Sequence, residues 1–444
     1  MKPSRYNHFF AADNTDFMLG YNAYSGALAE IEKQNHPRVL QLLRRPEDAR
    51  SAEDRQFLQC LREGGFLIAD GIDQTTALKA KARRARLEGR FLTLTIAPTL
   101  ACNFNCDYCF ESRSNVRMNE NTQQALLIFS DRYLEQADGL RVCWFGGEPT
   151  LCMPLIEKLQ TDLIALARKR QLAVIPGTII TNGYLLDAAM ARRLKDLGIE
   201  QAQITIDGPQ EVHDSRRKLH SGKGTFNRIV DNLSETAGIL HITVRINVDR
   251  TNVASAYEVV DLLNRRGILP KVRIQFAQVR STGTACANVR DHCYGDEEFS
   301  QTLVQIYDRL LSMGISQIEY PRVLSGAAFC GALSDGYYVV SPAGDLFRCW
   351  EELSTDSSRS IGNLFSNEPT EQQKRNSDAY RNWDPFALTE CGECDILPVC
   401  MGGCPLRGIQ SKTTTRGICL PWKYNLREMI RLKYACETAE PVNQ

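Results

Sequence analysis

Between residues 89 and 315, short apolar runs alternate with stretches whose apolar positions recur every three or four residues. The runs "FLTLTIAP", "RVCWF", "VIPGTIIT", "QAQITI", "HITVRINV" and "KVRIQFAQ" predict six strands. The stretches Gln123–Gln136, Pro154–Arg170, Asp187–Leu197, Thr225–Ala237 and Ser255–Arg266 predict amphipathic helices between them. Alternating strand and helix implies parallel strands joined by right-handed crossovers. Six such units are too few to close an eight-stranded barrel, so the predicted α/β fold is a partial (β/α)6 barrel, open on one side. Residues 1–88 read differently. "YNHFF" and "FMLGYNAYSGAL" are β-like, Asp13-Asn14 and Ser25-Gly26 mark turns, and helices are expected near His36–Leu43 and Ala52–Arg62. Residues 320–424 are loop-rich and cysteine-rich, with a last amphipathic helix at about Lys423–Tyr434. Three domains are expected: 1–88, 89–315 and 316–444.

Composition narrows the partners. Lys plus Arg is 53 and Asp plus Glu is 53 in 444 residues, so the net charge is zero and no nucleic acid is expected as partner. No run of 18 apolar residues occurs, so no membrane span is expected. The start, "MKPSRYNHFFAADN", lacks the apolar core of a signal peptide, which points to the cytoplasm. There the 16 cysteines are not a disulfide framework, and the ten that cluster at short spacings read as metal ligands. Three lie at 102–109 and seven between Cys330 and Cys419. Cys60, Cys143, Cys152 and Cys436 are expected to be buried small hydrophobes.

The stretch "ACNFNCDYC" places Cys102, Cys106 and Cys109 in the loop after the first strand of the alternating region. Active sites of parallel α/β folds sit at the carboxyl ends of strands. Zinc and [4Fe–4S] sites usually take four cysteines. Three leave one iron open to a ligand's amine and carboxylate; the competing reading is a zinc knuckle or unpaired thiols. One βα unit later, "WFGGEPT" holds Gly146, Gly147, Glu148 and Pro149. The two motifs together resemble the radical S-adenosylmethionine (SAM) superfamily, with its C-x3-C-x2-C loop and GGEP turn. The resemblance implies that the three cysteines hold a SAM-binding [4Fe–4S] cluster and that Glu148 accepts from the SAM ammonium. "TIITNGYLL" and "ITIDGPQEVHDSRR" extend it. Thr181, Asn182 and Asp207 would then meet ribose or substrate, Arg217 would offset the SAM carboxylate, and Tyr108 would pack beside the adenine. For Asn182-Gly183 and Asp207-Gly208, plain turn chemistry is the alternative.

Cys330, Cys349, Cys391, Cys394, Cys400, Cys404 and Cys419, with Gly344 between the first two, resemble the SPASM domain. That family's pattern implies one complete auxiliary [4Fe–4S] cluster on Cys391, Cys394, Cys400 and Cys419. A second would rest on Cys330, Cys349 and Cys404, with an iron open to a substrate thiolate or a fourth ligand from Cys286 or Cys293. With the SAM cluster this makes three. A zinc ribbon on Cys391, Cys394, Cys400 and Cys404 would leave Cys330, Cys349 and Cys419 unexplained.

The resemblance implies reductive cleavage of SAM to a 5′-deoxyadenosyl radical that takes hydrogen from an unactivated carbon. Residues 1–88 resemble the small winged-helix-like, PqqD-like recognition domain of ribosomal-peptide maturases, which binds a leader segment by strand addition; a capping extension of the barrel is the alternative. Cys349 is followed by Trp350, Glu351 and Glu352, where sulfatase-maturating enzymes place an aspartate base. Glu351, with Glu352 beside it, is the candidate substitute, against merely solvated acids. The expected activity is crosslinking of a precursor peptide, through a thioether or a carbon–carbon or ether macrocycle, fed by a flavodoxin- or ferredoxin-like electron donor. The alternatives are formylglycine formation on a sulfatase and a non-catalytic electron carrier. Deleting residues 1–88 is expected mainly to weaken precursor binding.

Overall fold

The structure is a computed structural model. It describes residues 1–12, 16–88, 91–111, 114–281, 284–324, 329–413 and 415–438, so the Asp13-Asn14 turn lies outside the described residues. The chain forms two compact units that cut across the three sequence regions. One gathers Met1–Glu88, Asp296–Cys330 and Trp383–Gln444; the other gathers Gly89–Gly295 and Gly331–Asn382.

The first unit opens with β1 (Lys2–Pro3), β2 (Asn7–Ala11), β3 (Phe17–Asn22) and β4 (Leu28–Glu32). β2, β3 and β4 form an antiparallel sheet in chain order. Asn22 explains the tight return after β3: its Oδ1 accepts from Tyr24 N and Ser25 N at 3.0 and 2.9 Å. α1 (His36–Arg44) and α2 (Ala52–Glu63) pack Val39, Leu43 and Leu61 on the sheet. α2 starts at a capping box built by Ser51 and Asp54. β5 (Leu67–Ile68) pairs with β1, and α3 (Gln74–Glu88) follows. Charged residues nearly all round α3 leave little apolar stripe, which hides it from the sequence pattern. Within the same unit, α3 and the sheet meet the 383–444 segment. Arg86 donates to Trp383 O at 2.7 Å, Lys79 pairs with Asp384 at 2.8 Å, and His8 Nε2 lies 3.4 Å from Asp395 O.

In the second unit all six predicted strands form. They are β6 (Phe91–Ile96), β7 (Gly139–Trp144), β9 (Gly177–Thr181), β10 (Ile199–Thr205), β11 (His241–Val248) and β12 (Val272–Gln278), with the short β8 (Ala173–Val174) beside β7. They run parallel and stand side by side in chain order. Helices α4 (Glu120–Leu134), α5 (Met153–Lys169), α6 (Ala188–Asp196), α7 (Gln210–Arg216), α8 (Phe226–Thr236) and α9 (Ala256–Arg265) connect them. α4 begins three residues before its apolar pattern does, because the Asn119 side chain caps Thr122 N at 2.9 Å. Leu92, Leu94 and Ile96 of β6 are fully buried, each worth about 1.5–3 kcal/mol. The alternate residues Thr93 and Thr95 turn to the opposite face, as strand geometry requires. Beyond β6 the sheet continues through β13 (Tyr337–Val340), parallel to it, and antiparallel β14 (Asp345–Phe347) and β15 (Gly362–Asn363). Sequence reading took this stretch for loop, because its strands are only two to four residues long. Gly344, at φ +91°, makes the β13–β14 turn. Among the described residues no helix is long and apolar enough to cross a membrane.

Candidate functional site: a three-cysteine loop on a glycine turn

The loop after β6 carries Cys102, Cys106 and Cys109, and the turn after β7 carries Gly146, Gly147, Glu148 and Pro149. They are joined through backbone. Gly147 N donates to Thr99 O at 3.1 Å and Glu148 N to Ala101 O at 2.9 Å. A Cβ on Gly146 would stand 2.5 Å from Thr99 O, and one on Gly147 2.4 Å from Ala101 O. Gly146 also holds φ at +104°. Only glycine permits this approach.

Glu148 is fully buried and held by four donors. Oε1 accepts from Thr150 N (3.1 Å), Thr150 Oγ1 (2.5 Å) and Thr181 Oγ1 (2.7 Å); Oε2 accepts from Asn182 N (2.7 Å). Burial still pushes its carboxyl above the usual carboxylate range. Pro149 follows directly and starts a short 3-10 turn. Asn182 Nδ2 donates to Asn103 Oδ1 in the cysteine loop at 2.8 Å, while its Oδ1 accepts from Tyr184 N at 3.0 Å. Asn182 is thus both a turn residue and a brace of the site. Burial pushes the Cys102 thiol up to about 12 and the Cys109 thiol up to about 11, helped by Glu148 and Glu111 respectively. Without metal these thiols are protonated at neutral pH, and metal binding releases their protons.

Tyr108 does not stand alone as a loop aromatic. Its hydroxyl donates to Asp207 Oδ2 and accepts from Arg217 Nη1 at 2.5 Å and Asn247 Nδ2 at 3.2 Å. Asp207 and Asn247 sit at the ends of β10 and β11, so the phenol ties the cysteine loop to both. Asp207 Oδ1 accepts from Asn247 N at 3.1 Å. Arg217 is buried, with its guanidinium 5.7 Å from the Phe104 ring centre and 5.9 Å from that of Tyr108. Burial lowers its affinity for the proton, yet Tyr108, Cys106 and Asp207 outweigh that and raise it. Arg216 pairs with Asp249 at 2.8 Å and lies 3.5 Å from Asp207. Burial pushes the neighbouring His213 down to about 3. Sequence reading missed Asn103, Glu111, Arg216, His213, Asn247 and Asp249. Asn103 and Glu111 lie in or beside the cysteine motif, whereas Asn247 and Asp249 needed only the rule that strand ends line the site.

Cys286, fully buried, and Cys293 pack with Val279 and Val289 against Tyr108 and Phe110. Trp350 packs on Phe145 in a tilted arrangement, ring centres 5.9 Å apart. Glu351 and Glu352 are not solvated acids. Burial raises Glu351, against lowering by Arg280 and Arg245, and pushes Glu352 up to about 7 beside Tyr380 OH at 2.9 Å.

In the other unit, Cys391, Cys394, Cys400 and Cys419 lie within electrostatic reach of one another. Gly417 N donates to Cys391 Sγ at 3.2 Å and Lys423 Nζ to Cys394 Sγ at 3.3 Å. A Cβ on Gly417 would meet Gly402 O at 2.2 Å, so glycine is what lets the two cysteine-bearing segments cross. Cys330, Cys349 and Cys404 are each half-buried. Among the described residues no three His, Cys, Asp or Glu converge tightly enough for a single metal ion. Four cysteines are the donor chemistry a [4Fe–4S] cluster takes. Cys60 corrects an expectation: it is exposed, on the outer side of α2 next to inward-facing Leu61, and among the other three only Cys152 is buried.

The chain matches the Radical SAM superfamily over residues 96–272. It is 26% identical over 349 residues to a serine-type anaerobic sulfatase-maturating enzyme of Bacteroides thetaiotaomicron, covering 68% of this chain and 80% of that one. It is 25% identical over 325 residues to a PqqA peptide cyclase of Granulibacter bethesdensis, covering 69% and 80%. Its fold is similar to that of Streptococcus suis SuiB bound to precursor peptide SuiA, with TM-score 0.55 and 15% identity over 94% of this chain and 98% of that one. Residues 96–272 are a radical SAM domain, and the protein that carries them is a radical SAM enzyme.

Proposed function

We propose that this chain is a peptide maturase that removes a hydrogen atom from a ribosomally made precursor and joins two of its residues. The observation that carries the radical step is the backbone seam holding the three-cysteine loop on the Glu148 turn. The strands in chain order would curl into a partial (β/α)6 barrel around the substrate. Cys102, Cys106 and Cys109 would hold a [4Fe–4S] cluster, and Gly146, Gly147, Glu148, Thr181, Asn182, Asp207 and Arg217 would surround SAM. Cys391, Cys394, Cys400 and Cys419 would hold an auxiliary cluster in a SPASM-like segment. A third cluster on Cys330, Cys349 and Cys404 is carried over from the sequence resemblance. When bound, these groups supply reductive cleavage of SAM to a 5′-deoxyadenosyl radical and the electron chemistry around it.

The protein's own share is positioning and proton handling. Glu148 Oε2, with one protein donor, accepts from the SAM ammonium. Arg217 meets the carboxylate. Glu351, raised by burial, takes the proton released as the new bond forms. The β2–β3–β4 sheet has two edge strands, β2 and β4, and one of them would receive a leader peptide by strand addition. The fold likeness to SuiB, which runs over 94% of the chain, supports this reading, as does the PqqA cyclase relative. The enzyme would work in the cytoplasm with a flavodoxin- or ferredoxin-like donor.

Similarity to the sulfatase-maturating enzyme supports a second reading, formylglycine formation. One experiment separates them. With SAM and reductant, a leader-bearing precursor should yield a product two hydrogens lighter and inert to carbonyl reagents. A leaderless sulfatase peptide that becomes an aldehyde would favour the second reading. Unchanged mass with inverted stereochemistry would point to epimerisation.

A further inference from the structure

The segment that follows α7 lies along the three-cysteine loop like a second strand. Asp107 N donates to Arg216 O at 3.4 Å, Asn105 N to Lys218 O at 2.8 Å and His220 N to Asn103 O at 3.3 Å. Phe104 faces Leu219 in an antiparallel bridge, and His220 Nε2 lies 3.0 Å from Cys102 O. The strip therefore follows the loop from Cys102 to Asp107 in antiparallel register, at a strand spacing of about 5 Å. At Gly222, with φ +81°, it folds back. There Gly222 N donates to Leu219 O at 2.9 Å and Leu219 N to Lys223 O at 3.0 Å.

This strip is basic. Residues 216–224, "RRKLHSGKG", hold four Lys or Arg, one His and no acid, in a chain whose net charge is zero. Arg216 and Arg217 turn inward, to Asp249 and to Tyr108. Lys218 is half-buried, while His220 and Lys223 are exposed. Among the described residues neither lysine pairs with an acid. The covered loop adds one exposed acid, Asp107, which the strip outnumbers. Lys423 is placed differently, because its ammonium is already engaged by Cys394 at 3.3 Å. Unpaired surface lysines beside a reducible site steer a partner of opposite charge toward it.

Resting on the cluster assignment above, we propose that the 218–223 strip is where an external one-electron donor docks through an acidic face, so that electrons enter at the three-cysteine loop. Reductive cleavage of SAM takes one electron, which the chain obtains from outside. In the docked pair the donor is oxidised by one electron and the three-cysteine site is reduced by one; no bond forms or breaks in that step. Lys218 and Lys223 hold the donor, and the paired main chain keeps it one strand away from the cysteines.

Two measurements on the anaerobically reconstituted full-length protein test this, with reduced flavodoxin, an acidic protein, as the probe. Its binding, read by calorimetry without SAM, should weaken at least about tenfold between about 50 and about 300 mM salt, and by a similar factor in Lys218→Glu/Lys223→Glu. That variant should need at least about tenfold more flavodoxin for half-maximal SAM cleavage. With dithionite, a small reductant that requires no docking, it should cleave within about twofold of the wild-type rate. Unaltered flavodoxin binding in the variant, or an equal loss with both reductants, overturns the proposal. So does wild type that cleaves SAM with dithionite but neither binds flavodoxin nor takes electrons from it. Weakened precursor binding with flavodoxin binding intact would make the strip a peptide surface and overturn it as well. Should the double variant lose its iron, Lys223→Gln and the salt series on wild type decide, and flavodoxin binding indifferent to both overturns the proposal. Wild type that cleaves no SAM even with dithionite would instead overturn the cluster assignment.

Discussion

The two cysteine-bearing regions use the same ligand in opposite settings. The 102–109 loop offers three thiols near Glu148 and Glu111, and burial pushes two of them up to about 12 and 11. The 391–419 segment offers four, and its nearest charged neighbour is Lys423 on Cys394. On the proposed reading, four thiolates with Lys423 beside them would make a closed site, whereas three beside Glu148 would leave a place for a ligand. Ligand count and the sign of the neighbouring charge distinguish an electron-holding site from a ligand-activating one.

Removing one thiol from each region is the sharpest way to break the comparison. Cys102→Ala should abolish SAM cleavage, a loss of more than about a thousandfold in turnover. Cys400→Ala should lower iron content by about a third, one of the three proposed clusters, yet leave the SAM-induced change in the reduced-cluster spectrum in place. Iron analysis and electron paramagnetic resonance read both. If Cys400→Ala also erased the SAM response, the two regions would not be functionally distinct.

The next effect concerns the N-terminal residues. Sequence reading expected deletion of 1–88 mainly to weaken precursor binding. The structure adds a second consequence, because Arg86, Lys79 and His8 contact Trp383, Asp384 and Asp395, beside the four-cysteine segment. The deletion should therefore also reduce iron retained at Cys391–Cys419, while the three-cysteine loop keeps its own. Iron counts on the truncated protein, with and without Cys102→Ala, would check this.

The smallest expected effect is a pH dependence. His213, pushed down to about 3 by burial, is neutral in the folded protein and titrates near 6.5 when unfolded. Between those values the unfolded chain binds more protons. His213 therefore costs no stability above about pH 6.5, and stability is lost progressively as pH falls toward 3. Thermal unfolding of the metal-free protein at pH 7.5 and 5.5 should show a larger drop for wild type than for His213→Gln.

Much of this was legible in the sequence, for identifiable reasons. The six strands of the parallel sheet announce themselves because apolar residues recur at alternate positions facing one side, as Leu92, Leu94 and Ile96 do in β6. The three cysteines and Glu148 stand out because their spacing is rigid and their chemistry narrow. What escaped was set by tertiary contact. β13 is four residues long and is a strand only because β6 pairs with it. Tyr108 reads as any loop aromatic until Asp207, Arg217 and Asn247, all about a hundred or more residues away, close on its hydroxyl. Glu351 and Glu352 look like surface acids until Arg245, Arg280 and Tyr380 enclose them. Cys60 failed in the other direction, since residue type alone suggested an interior position.

The glycine turn against Thr99 and Ala101 has a mechanical consequence. The three-cysteine loop and the Glu148 turn are riveted to one strip of main chain, so thermal breathing of the surrounding helices moves them together. Spacing between them is insulated from drift elsewhere, and peripheral loops are free to diversify without detuning the reaction centre.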